Sequence, residues 1–399
     1  MKTILMIVAI ALVAQTHALR SDGTTVRGAT VRSEGPKVRS EGPHALRITA
    51  NYRSVATSDR SVATSDRSVA TSDRTVAQSD RTIAPSPLRS VAPHAASQSV
   101  SETPDAHVSR AKAAAGDAYQ NLFDFLCTVP TPSGRGAGPG GRRGGGPKSG
   151  PPERSTWYAQ PVKVFDNLYF VGQSEYSAWA VTTSDGIVLI DTIFDYSVEE
   201  EVAGGLKTLG LDPATIKYAV VTHPHPDHHG GAKFLQDRYR SRILMSAADW
   251  DVIEKLPGTK PARDLVATDG QTLTLGDTKL TLYVTPGHTP GTLSVLIPVR
   301  DGGTPHLAAL WGGTGLNADR DSLEKYIASA RRFDDVVQKA GADIILSNHT
   351  DWDGSKINLP RLTERTAGSS NPYVVGTAAV RSYLKVAEEC ATARVMRLN

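Results

Sequence analysis

The sequence predicts an α/β domain over residues 155–399, preceded by a disordered N-terminal tail. Three observations carry that expectation. Short apolar runs with strand character alternate with helix-like runs through both halves of 155–399. Residues 19–103 instead repeat Ser, Thr, Arg and Asp with no apolar face to bury. The densest group of chemically active side chains, THPHPDHHGG at 222–231, directly follows the apolar stretch YAVV. The carboxyl end of a strand is where α/β folds place their sites.

Taken in order, the chain begins with Met1-Lys2-Thr3 and the apolar run ILMIVAIALVA at 4–14, then Thr16-His17-Ala18. The run is too short to span a bilayer, so residues 1–18 are expected to be a signal peptide cut after Ala18. The mature protein is then secreted or periplasmic, with no membrane association after cleavage. Residues 19–103 form a low-complexity repeat tail: RSVATSD at 53–59, 60–66 and 67–73, decaying to RTVAQSD and RTIAPSP. The period is seven, yet Val and Ala sit at adjacent positions, so no coiled-coil seam exists. Residues 104–129 read as a helix whose apolar end, Leu122, Phe123, Phe125 and Leu126, docks on the α/β domain. Residues 130–154 are a Gly/Pro/Arg linker.

Within the domain, strands are expected at 162–171, 178–191, 217–222, 242–246, 272–285, 292–299 and 306–311, with ADIIL before Ser347 also strand-like. Helices are expected at 196–210, 230–240, 247–256, 322–340 and 375–391. The net charge of +3 conceals a division, because residues 155–399 hold 24 basic against 29 acidic side chains. A mildly acidic body disfavours a polyanionic partner, so a small-molecule substrate is expected and no nucleic acid. The chain has 2 cysteines, Cys127 and Cys390. If the helices carrying them pack together, a disulfide would tie the N-terminal helix to the domain.

The motif places His223, His225, Asp227 and His228 within six residues. Imidazole and carboxylate bind borderline-soft divalent ions, which activate water. Alternating positions in a tight loop can share a direction, so His223 and His225 can face one ion.

His223-Pro-His225-Pro-Asp227-His228 resembles the HxHxDH signature of the metallo-β-lactamase superfamily. Three further segments match in order: Ile190-Asp191-Thr192, Thr285-Pro-Gly-His288-Thr-Pro-Gly291, and Ser347-Asn-His349-Thr350. The resemblance covers roughly residues 160–395. It implies a four-layer αβ/βα sandwich with metals at one edge between two sheets. It further implies two Zn2+ ions, one on His223, His225 and His288, the other on Asp227, His228 and His349. Ions about 3.5–4 Å apart share a hydroxide that attacks a carbonyl in a β-lactam, lactone or related amide or ester. Asp227 orients that water and passes on its proton, and Asp191 orients a ligand from behind. His229 and His306 are left outside the site. Tyr176, Trp179 and Thr314 are the candidate substrate contacts, with core packing the alternative for the two aromatics.

One departure narrows the resemblance. Many of these hydrolases, the glyoxalase II type included, place a metal-bridging Asp after the strand that corresponds to 306–317. This chain has Trp311-Gly-Gly-Thr314-Gly there, and no Cys ligand either. What remains is most like the β-lactamase subclass with an all-His/Asp site, whose second ion is the more weakly held. A mononuclear-iron oxygenase on the same fold, or a non-catalytic secreted binding protein with a structural metal, remain the alternatives. Asn348-His349-Thr350 is formally a glycosylation sequon that the ligand beside it should keep buried and unmodified.

Overall fold

A computed structural model describes residues 102–128, 150–366 and 368–398. The expected signal peptide, the repeat tail and most of the linker lie outside the described residues. Two helices come first, α1 (Pro104–Ala115) and α2 (Gln120–Phe123), the second running on into a turn of wider helix at Asp124–Thr128. Strands β1 (Val162–Phe165), β2 (Leu168–Phe170), β3 (Trp179–Thr183), β4 (Gly186–Ile190), β5 (Ile216–Val220), β6 (Arg242–Ser246) and β7 (Leu265–Ala267) form a seven-stranded sheet in sequence order. Its first three pairings are antiparallel and its last three, from β4 to β7, are parallel. The second sheet has five strands in the order β12 (Ile344–Ser347), β11 (Thr304–Trp311), β10 (Leu293–Asp301), β9 (Thr278–Val284), β8 (Gln271–Leu275).

The apolar runs are continuous because both sheets are covered on both faces. On β4, Val188 and Ile190 face the other sheet, while Ile187 and Leu189 face outward onto helices. On β11, Ala308 and Leu310 point between the sheets, and Ala309 and Trp311 point the other way. Three apolar layers result. The middle one lies between the sheets. One outer layer packs α3 (Gly205–Thr208), α5 (Ala232–Tyr239) and α6 (Ala247–Lys255) on the seven-stranded sheet. The other packs α1, α7 (Arg320–Ala340) and α9 (Thr377–Met396) on the five-stranded sheet. The molecule is therefore the expected four-layer sandwich.

The long runs at 162–171, 178–191 and 272–285 are each a pair of antiparallel strands joined by a tight turn. The run at 196–210 is not one helix: a wider turn at Glu199–Gly204 precedes the four residues of α3. Three elements were not anticipated, the four-residue α4 (Pro226–His229), the three-residue β7 and helix α8 (Ser355–Thr363). Cys127 and Cys390 are bonded, with an S–S distance of 2.03 Å. This staples the end of the N-terminal segment to α9. Glu389, one residue earlier on α9, accepts from Arg110 Nε (3.0 Å) and pairs with His107 Nδ1 (2.5 Å), so α1 is held by charge as well.

Candidate metal centre

Four loops at the carboxyl ends of strands from both sheets meet at one edge. They follow β4, β5, β9 and β12, and they carry Asp191, the 222–231 motif, His288 and His349. After β5 the chain bends through Thr222 to His225, which is itself extended (φ −80°, ψ 148°), then turns into the four-residue helix α4 (Pro226–His229). That switch from extended to helical backbone sends Asp227 and His228 to a different side from His223 and His225.

Two ligand groups result, His223 with His225 and His288, and Asp227 with His228 and His349. Within each, the donor atoms lie within 4.8 Å of one another. In the first, His288 Nε2 is 3.1 Å from both His223 Nε2 and His225 Nδ1. In the second, Asp227 Oδ2 lies 3.0 Å from His228 Nε2 and 3.6 Å from His349 Nε2. The groups adjoin, since the His223 and His228 rings have centroids 4.1 Å apart.

The far nitrogens fix which way each lone pair points. His223 Nδ1–H donates to Gly312 O (2.8 Å) and His288 Nδ1–H to Gly315 O (2.7 Å). Their Nε2 atoms are therefore both bare lone pairs, and their 3.1 Å contact cannot be a hydrogen bond. It fits a shared cation: imidazoles about 2.0–2.1 Å from a tetrahedral ion bring their nitrogens to about 3.3 Å from each other. His228 Nδ1–H donates to Asp191 Oδ2 (3.0 Å), leaving its Nε2 buried with no hydrogen bond. A buried ring nitrogen set 3.0 Å from a carboxylate oxygen and beside a second imidazole is itself a ligand position. The donor set thus fits two divalent ions.

Burial and the neighbouring imidazoles hold His223 and His349 well below the ordinary histidine range, and push His288 down to about 3. All three are neutral at pH 7, the form that binds metal. Burial would raise Asp227, but the His228 imidazole outweighs it and holds the carboxyl below the usual range. His228 goes the other way. Burial lowers it, and Asp227 with Asp191 overcome that and favour positive charge at this position.

Buried aspartates pin the loops. Asp191, itself at φ 59°, accepts from Thr222 N (2.7 Å), Thr222 Oγ1 (2.9 Å) and His228. Asp249 accepts from Thr289 Oγ1 (2.7 Å) and Gly291 N (2.9 Å), on either side of the turn after His288. Asp353 accepts from Ser347 N (2.8 Å) and Ser355 N (2.9 Å), closing the loop of His349. The last two escaped sequence reasoning, as did Asn348. The Asn348 amide donates to Gly312 O (2.7 Å) and Thr222 Oγ1 (3.1 Å), locking the carbonyl that holds His223. Asn348 is 1% exposed, so the sequon there is inaccessible.

Two of the candidate substrate contacts stand elsewhere. Trp179 is fully buried between the sheets and donates to Ser347 O (3.2 Å), so it is core and touches no substrate. Thr314 is 1% exposed and turns its hydroxyl to Tyr383 OH (3.4 Å), away from the ligands. Tyr176 does stand at the site, half-buried, with its ring 5.2 Å from that of His349. His229 bonds His225 O (2.9 Å) and His306 pairs with Asp343 (2.6 Å), both outside the ligand groups.

No carboxylate fits where the glyoxalase II type places its bridging Asp. A Cβ on Gly312 would lie 1.6 Å from Leu293 O, and one on Gly313 would lie 2.7 Å from His288 Cβ.

Fold and site together define a sandwich carrying two adjoining His/Asp ligand groups at one sheet edge. Residues 171–302 match the metallo-beta-lactamase superfamily. The hydroxyacylglutathione hydrolase of Neisseria meningitidis serogroup A is 39% identical over 142 residues, 36% of this chain and 47% of the relative. That of Mesorhizobium japonicum is 32% identical over 106 residues, 27% of this chain and 38% of the relative. The chain thus spans less than half the length of these relatives. Among solved structures, a mutant of the FEZ-1 metallo-beta-lactamase from Legionella gormanii aligns with TM-score 0.53 and 25% identity, covering 59% of this chain and 94% of that one. The Rm3 metallo-beta-lactamase aligns with TM-score 0.51 and 25% identity, covering 60% and 95%. Over residues 171–302 the chain is thus similar to the metallo-beta-lactamase superfamily, and its fold is that of these solved metallo-beta-lactamases.

Proposed function

We propose that this chain is an exported, zinc-dependent hydrolase that opens a carbonyl–heteroatom bond in a small molecule, a β-lactam before a thioester or lactone. One observation carries the reading: six side chains from three loops converge as two ligand groups with their lone pairs already aimed inward. Bound there, a pair of zinc ions supplies Lewis acidity and water ionised at neutral pH. The chain's own residues do the rest. Asp227, held ionised, accepts and hands on the proton of the attacking water. Asp191 keeps His228 in one tautomer, and Asn348 with Gly312 does the same for His223. Tyr176 borders the second ligand group and can flank the substrate.

Sequence likeness favours hydroxyacylglutathione hydrolases, and fold likeness favours β-lactamases. The Gly312-Gly313 pair supports the latter, because neither position admits a carboxylate between the metals. Export is supported by the leader-like run at 4–14 and by the disulfide, which persists in oxidising compartments. Among the described residues no helix is long and apolar enough to cross a membrane. The acidic composition of 155–399 supports a small molecule over nucleic acid as the substrate.

The test is metal analysis of the purified chain, followed by rates on a chromogenic cephalosporin, a lactone, an aryl ester and a hydroxyacylglutathione. Two zincs per chain and the highest kcat/KM on the cephalosporin are expected. A single iron per chain overturns the hydrolase reading. A higher kcat/KM on the thioester overturns the substrate assignment alone.

A further inference from the structure

Of the five imidazoles expected to hold metal, two, His225 and His349, have among the described residues no hydrogen bond fixing the ring from outside the ligand groups, and His349 is the one of them held by a stack of aromatic rings. The rings of His223, His228 and His288 are each fixed by a hydrogen bond through Nδ1. Among the described residues no hydrogen bond holds the ring of His349. Its orientation comes from packing. Trp352 lies over it with ring centroids 4.1 Å apart and planes at 33°, and Tyr176 meets it edge-on. Trp352 is 4% exposed, and its ring is stacked in turn on Phe125, centroids 4.6 Å apart and planes at 23°.

Phe125 comes from outside the stretch that matches the family. It belongs to the N-terminal segment, two residues before Cys127, whose disulfide to Cys390 anchors that segment to α9. The same segment buries Leu122 and Leu126 against α7 and α9, and sets Tyr119 edge-on to Tyr383 at 5.4 Å. An imidazole turns easily about its Cβ–Cγ bond, and a ligand turned away is lost. The stack therefore does for His349 what a carbonyl or carboxylate does for His223, His228 and His288.

We infer that Phe125 and Trp352 are positioning residues for His349, and that the Cys127–Cys390 bond holds this stack in place. The N-terminal segment is on this view a working part of the second ligand group. The inference rests on the metal-centre reading above.

Zinc and cobalt(II) titrations of the full chain against a chromophoric chelator test it, with circular dichroism to verify folding. Phe125→Ala, and separately the double variant Cys127→Ser/Cys390→Ser, should weaken the more loosely held ion about tenfold and leave the tighter one unchanged. Phe125→Tyr keeps the stack and should restore wild-type affinity. In cobalt(II) spectra the visible bands of only one of the two sites should shift. Wild-type affinity for both ions in Phe125→Ala and in the double variant overturns the inference while leaving the metal centre intact. Equal weakening of both ions also overturns it, by reducing the segment to general support. If the wild-type chain binds neither ion, the metal-centre reading falls, and this inference with it.

Discussion

At the scale of single residues, the site is a set of lone pairs aimed by groups distant along the chain. His225→Ala removes one of three donors in the first group and should abolish hydrolysis, read as kcat/KM at the assay floor with an unchanged circular dichroism spectrum. Asp191→Asn should lower metal affinity by about 10- to 100-fold, because the amide neither favours a cation near His228 nor fixes its tautomer. Chelator competition measures that loss directly. The six ligands were legible because each is a side chain with its own chemistry in a recognisable spacing. Their supports were not. Gly312 O is a backbone atom 89 residues from His223, and nothing in a string of letters says which carbonyl an imidazole will meet. For Trp179 the sequence left core packing and substrate contact both open, for a related reason: an aromatic near a site looks the same in sequence whether it faces the core or the cleft.

At the scale of elements, close packing sets the limits. Gly312 lies where β11 ends against β10, and Gly312→Ala would force a methyl into Leu293 O. That substitution should cost at least about 2 kcal/mol of stability, measured by denaturant melts. The pairing of α1 with α9 should depend on pH. Burial would raise the Glu389 carboxyl, but Lys385, Arg110 and His107 outweigh it and hold it at about 2, below its ordinary 4.5. A carboxyl lowered on folding stabilises fully above its unfolded value and loses that contribution as pH falls toward its folded one. Amide protection in Pro104–Ala115, taken relative to the intrinsic exchange rate at each pH, should therefore fall between about pH 4.5 and pH 2, and Glu389→Gln should show the lower protection already at pH 7. Long elements such as α7 and α9 were legible from their periodic apolar faces. β7, with three residues, and α8, with a proline inside it, carry too little pattern to stand out.

For the whole molecule, the ions and the fold should be thermodynamically linked. Ligand groups drawn from both sheets exist only in the folded chain, so metal binding adds to stability. An ion present at a thousand times its dissociation constant contributes about 4 kcal/mol. Stripping it with a chelator should lower the melting temperature on the order of 10 °C for a domain of this size, a shift that calorimetry resolves. The fold class was legible because a sheet covered on both faces leaves unbroken apolar runs. The pairing of antiparallel strands within one such run was less so, since a tight turn of polar residues barely interrupts it.

The bond between Cys127 and Cys390 closes a loop across a sequence separation of 263. It also imposes an order of events during synthesis. A ribosome releases α1 and its apolar end long before α9 exists, and until then Leu122 and Leu126 lack the helix they rest on. The segment must stay unassembled, and its thiol unpaired, through the making of nearly the entire domain. Maturation therefore finishes only after translation has passed the last helix, when an oxidant can seal the earliest helices to the latest one.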